Sequence, residues 1–131
     1  MFNRVRYVVI AVKDLEESLA LYTGTYGLVA APIEEMPEGG RRTVKLDVGN
    51  AHIELAQPTD PESPLGKFIA DRGEGLYLIA LVVPDRQKAA DELRERGARV
   101  IGDIDASGQV GEGMLFVHPK SARGVLINLV E

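Results

Sequence analysis

The sequence predicts an α+β protein built from two copies of one strand–helix–strand–strand–strand unit. Two apolar strand runs, each followed by a capped helix, recur at a constant offset of 71 residues: Tyr7 matches Leu78, Val12 matches Val83 and Asp14 matches Asp85. Both copies end in a pair of strands joined by a turn. The chain has 131 residues, of which 45% are hydrophobic and 27% charged, which is ordinary for a soluble globular protein and long enough to bury a core without staples. The expectation is one domain, 1–131, with modules at about 4–58 and 75–131 and a short helical linker. Two such modules packed side by side make a curved sheet around a cavity.

Each element has a local reason. Residues 5–12 are a β-branched apolar run. Asp14 follows as an N-cap, with Glu17 three residues on as in a capping box. Leu15, Leu19 and Tyr22 share one helical face, and Gly24 and Gly27 offer stops. Residues 43–48 read as a strand, Gly49-Asn50 as a turn, and 51–56 as the returning strand. Alternation then puts His52 and Glu54 on one face, with Ile53 and Leu55 on the other. In the linker, Ser63 is an N-cap, Pro64 stands at the first helical position and Gly73 terminates. The second copy repeats the scheme. Residues 76–83 form a strand, Asp85 caps a helix that ends at Gly97, 114–117 form a strand, 119–124 a longer turn, and 125–130 the return. The second strand of each copy falls near 28–33 and 98–104.

Composition also excludes. With no Cys there is no disulfide, thiolate metal site or cysteine nucleophile. A net charge of −5 without a dense basic stripe argues against nucleic-acid binding. No run approaches the ~20 apolar residues of a membrane helix, and the N-terminal apolar run is too short for a signal peptide. The expected compartment is the cytoplasm. No glycine pattern makes a nucleotide P-loop.

The segments VVIAVKDLEESLALYTGTYGL, LDVGNAHIELAQP, DPESPLGKFIADRGEGL and FVHPKSARGVLINLVE resemble the vicinal oxygen chelate superfamily, the glyoxalase and dihydroxybiphenyl dioxygenase fold. Within it they are most similar to the methylmalonyl-CoA epimerases. The resemblance covers nearly the whole chain. It implies a homodimer and a small-molecule ligand such as an acyl-CoA. It also implies four metal-ligating positions, which here hold Tyr7, Glu54, Leu78 and Asn128. Leu78 has no donor, neutral Tyr7 is a poor ligand, and Asn128 offers an amide oxygen alone. A metal is therefore disfavoured, and no cofactor is expected.

The resemblance further implies proton transfer next to a thioester carbonyl, with Glu54 as the base. Glu38, in the PEGG segment, stands near the second acid/base, and Glu34 and Glu35 are close by. Tyr7 and Asn128 would polarise or position the carbonyl, and Leu78 would line the site. His52 would sit at the rim, and His118 in a turn or against the CoA. Arg41, Arg42, Lys67, Lys120 and Arg123 are candidates for phosphate contacts. Two functions follow: an epimerase-like isomerase on a small acyl-CoA thioester, or a non-catalytic sequestering protein that reuses the cavity.

Overall fold

A computed structural model describes every residue, Met1–Glu131. It has nine strands and three α-helices in the order β1 (Arg4–Ala11), α1 (Leu15–Ala20), β2 (Val29–Ala30), β3 (Glu34–Met36), β4 (Arg41–Asp47), β5 (His52–Pro58), α2 (Pro64–Arg72), β6 (Gly75–Val82), α3 (Arg86–Glu95), β7 (Val100–Ile104), β8 (Val110–Val117) and β9 (Leu126–Val130). Two compact units emerge: Tyr7–Tyr77, and Met1–Arg6 with Leu78–Glu131. The Asn3 N–H donates to the Val82 carbonyl at 2.8 Å, and the Arg6 guanidinium to the Glu131 carbonyl at 2.7 Å, so residues 1–6 join the C-terminal unit.

In the Tyr7–Tyr77 unit the strand order is β2-β4-β5-β1, with β3 added to β4. β1 runs parallel to β5, and β4 and β5 form an antiparallel hairpin. The Val48 N–H donates to the Ala51 carbonyl at 3.2 Å across the Gly49-Asn50 turn. α1 starts as its sequence requires: the Asp14 carboxylate accepts the Glu17 N–H at 2.9 Å, and the Gln57 amide oxygen accepts the Leu15 N–H at 2.8 Å. These acceptors satisfy donors that a first helical turn leaves open. After Ala20 the helix widens into a π turn, Leu21–Thr25. The strand expected near 28–33 is reduced to the two residues of β2, and β3 follows separately. Pro32 between them has no N–H to give to a ladder.

One face of this sheet packs on α1. Val12, Leu15, Val44, Leu46 and Leu55 are buried there, with Ile10, Leu19, Tyr22 and Ile53 against them. A fully buried leucine in such a cluster is worth about 1.5–3 kcal/mol relative to exposure. α2 begins where Ser63 accepts the Gly66 N–H at 3.1 Å, with Pro64 next, and ends at Gly73.

In the other unit the order is β6-β9-β8-β7, with β6 parallel to β9. α3, capped by Asp85, packs through Ala89 and Ala90 on Val83, Leu115, Val117 and Leu129. β8 is longer than the sequence suggested. Its partner β7 carries an irregularity after Gly102, where a Cβ would collide with the Met114 carbonyl. No helix is long and apolar enough to cross a membrane.

Candidate functional site

The site-bearing face of the Tyr7–Tyr77 unit is the one turned away from α1. Ladder partners share a face, so the register defines it. On β1 and β5, Tyr7 pairs with His52 and Val9 with Glu54. On β4, Lys45 stands directly opposite Glu54, and Thr43 opposite Ala56. On β3, Glu34 stands opposite Thr43. The face thus gathers Tyr7, His52, Glu54, Lys45, Thr43, Arg41 and Glu34. Arg42, one residue out of phase, points the other way and bridges Glu16 of α1 and Glu35 of β3 at 2.5 and 2.8 Å.

Glu54 is half-buried, and burial pushes its carboxyl above the ordinary carboxylate range. Lys45 and then Arg41 pull it partly back, while the Glu34 charge adds to the upward push. The Thr43 hydroxyl faces the Glu54 carboxylate. Thr43 is 1% exposed, yet its hydroxyl closes no well-formed hydrogen bond with any partner. Tyr77 packs edge-on against Phe68 of α2, with ring centroids 5.0 Å apart. Burial raises the Tyr77 phenol too, and Arg41 offsets that rise in part, so the Arg41 charge acts on both Glu54 and Tyr77.

Gly40 sets the position of Arg41. A 3-10 turn, Pro37–Gly39, ends at Gly40, whose φ of 64° is the left-handed region that glycine adopts without penalty. The Thr59 N–H donates to the Gly40 carbonyl at 2.7 Å and ties the end of β5 to the start of β4.

The sequence-derived residues divide. Glu54, Tyr7, His52 and Arg41 lie on the one face, and Tyr7 stacks on His52 with centroids 4.8 Å apart and planes 15° from parallel. Glu38 lies in the exposed 3-10 turn and is not among the charges that act on Glu54, whereas Glu34 is. Lys67 is exposed on α2. In the other unit, Leu78 and Asn128 are buried on one face of β6 and β9, where Asn128 pairs with Ala80. His118 caps a 3-10 turn, its Nδ1 accepting the Lys120 N–H at 3.0 Å, and the Lys120 side chain is exposed. Lys45, Thr43 and Tyr77 escaped the sequence reading. A two-residue turn at Gly49-Asn50 places Lys45 opposite Glu54 by counting outward, so that signal was present.

The residues do not suit a divalent ion at the positions the resemblance marks. Leu78 has no donor, Asn128 offers an amide, Tyr7 a stacked phenol, and Glu54 sits among cations. No three His, Asp or Glu side chains come together to hold a metal.

Comparison with known proteins places this arrangement. Residues 6–117 match the Glyoxalase/Bleomycin resistance protein/Dioxygenase superfamily. The ethylmalonyl-CoA/methylmalonyl-CoA epimerase of Cereibacter sphaeroides is 35% identical over 131 residues, covering 98% of each chain. The crystal structure of methylmalonyl-CoA epimerase from Mycobacterium tuberculosis superposes with a TM-score of 0.84 at 32% identity, covering 99% of this chain and 88% of that one. A variant of Streptomyces coelicolor methylmalonyl-CoA epimerase, in complex with 2-nitronate-propionyl-CoA, gives 0.83 at 31% identity over 98% and 96%. With the paired units, the face that carries Glu54 and these matches together, the chain belongs to the glyoxalase/bleomycin resistance protein/dioxygenase superfamily.

Proposed function

We propose that this protein is an epimerase-like isomerase of a small acyl-CoA thioester that moves the proton next to the thioester carbonyl without a divalent metal. The similarity to methylmalonyl-CoA epimerases over the full chain supports the substrate class. The observation that carries the chemistry is Glu54, a half-buried carboxylate whose proton affinity is raised by burial. A carboxylate with a raised pKa is a stronger base and sits nearer the operating pH.

Epimerisation needs a group to take the proton and a group to return one. Glu54 takes the α-proton, and the C–H electron pair moves into the enolate. Glu34, the second carboxyl on the same face, fits the return of a proton to carbon better than Glu38 does. Its charge is felt at Glu54, where it adds to the upward push on that carboxyl.

The test is exchange of the α-proton of methylmalonyl-CoA in D₂O, followed by NMR, for the parent and E54Q. The expected result is exchange in the parent and its loss in E54Q with thioester binding retained. Binding without exchange in the parent would replace this reading with that of a sequestering protein.

A further inference from the structure

We propose that Arg41 and Lys45 form an anion subsite beside Glu54 that does for the ligand what a divalent ion would otherwise do: it holds the acyl carboxylate and the charge that develops on the thioester oxygen. The inference rests on the acyl-thioester reading of the site and names how that ligand is recognised.

Three observations support it. The first is placement. Arg41, Thr43 and Lys45 are alternate residues of β4 and share the Glu54 face, and Lys45 is the direct ladder partner of Glu54. The second is that these cations are uncommitted. Arg42, on the opposite face, is paired with Glu16 and Glu35, whereas neither Arg41 nor Lys45 closes an ion pair with Glu54 or Glu34. A cation locked into an ion pair has little positive potential left for a ligand, whereas these two keep theirs. The third is the Thr43 hydroxyl between them, which faces the Glu54 carboxylate and so adds a polar group to the same cluster.

The two cations suit different parts of the ligand. The Arg41 guanidinium is a planar fork matched to a carboxylate, and the Lys45 ammonium is a compact charge suited to a single oxyanion. Arg41 is also seated by its neighbour. Its guanidinium lies over Gly39, where a Cβ would collide with Nη1, so the missing side chain makes room for it. Gly39, unlike Gly40, does not have a left-handed backbone, so G39A displaces the guanidinium without straining the turn.

The probe is methylmalonate, titrated into chelator-treated full-length protein and followed by NMR shifts of the β4 and β5 amides. The parent should bind saturably. R41M/K45M should weaken binding by about tenfold or more. R41K/K45R, which keeps both charges, should retain most of the affinity and so separates charge loss from misfolding. G39A should weaken binding with the charge count intact. The inference is overturned if the parent binds methylmalonate only when Co²⁺ is added, if it does not bind it at all, or if R41M/K45M binds as tightly as the parent. Proton exchange on methylmalonyl-CoA, run in parallel, separates the two ideas. Anion binding without exchange leaves the subsite standing and removes the reaction. Exchange with anion binding indifferent to R41M/K45M does the reverse.

Discussion

The two units invite comparison residue by residue, because their first and last strands pair in parallel with the same relative register. Tyr7 and His52 face each other in one, Leu78 and Leu126 in the other; Val9 and Glu54 correspond to Ala80 and Asn128. The antiparallel neighbour of Glu54 is Lys45, and that of Asn128 is Phe116. The helix-facing sides match closely, each a leucine- and valine-rich cluster under one capped helix. The opposite faces differ. One carries a phenol, an imidazole, carboxylates and cations. The other carries leucines, an alanine, a phenylalanine and an amide, with Met114 and then Glu112 further out along β8. Duplication has kept the frame twice, and the titratable groups are concentrated in one copy.

That comparison breaks most sharply at Glu54. E54Q should lower α-proton exchange about 10²–10⁴-fold, the usual contribution of a positioned acid/base, while the thioester still binds. A loss confined to affinity would assign Glu54 to binding alone. The frames should respond alike. L55A and L129A remove equivalent, fully buried leucines, and each should cost about 2–5 kcal/mol in urea unfolding. A large inequality would mean that the copies do not share the structural load. The helix caps give a smaller version of the same test. Asp14 accepts the Glu17 N–H at 2.9 Å and Asp85 the Lys88 N–H at 3.0 Å, so D14A and D85A should each cost about 1 kcal/mol.

The smallest effect is a pH dependence. The folded pKa of Glu54 stands above its unfolded value, so in the window between them the folded chain holds a proton that the unfolded chain has released. Stability should therefore fall as pH rises through that window. E54Q should flatten this slope and be the more stable chain above it. A parent that gained stability through the same window would contradict the burial of this carboxylate.

Much of the frame was legible in the sequence because local rules decide it. Asp14, Ser63 and Asp85 are caps that act within three residues, and the alternation of β5 settles which of its side chains meet α1. What was not legible depended on pairing between elements. Asn3 and Arg6 bond to Val82 and Glu131, partners far along the chain that no local rule connects to them. Glu38 and Glu34 are close in sequence, and only the pairing of Glu34 with Thr43 distinguishes them. Tyr77 entered the site through Phe68 and Arg41, neither a sequence neighbour. Lys45 is the instructive case, since the hairpin turn already encoded its pairing with Glu54. An exposed lysine reads as solvation until its ladder partner is known to be a half-buried carboxylate.

The central claim is that one unit's titratable face moves the proton without a divalent metal. The direct measurement is the α-proton exchange rate of methylmalonyl-CoA in D₂O with excess chelator and, separately, with added Co²⁺. The account predicts exchange that survives chelation and changes little with the metal. Exchange that vanishes with chelator and returns with Co²⁺ would contradict it.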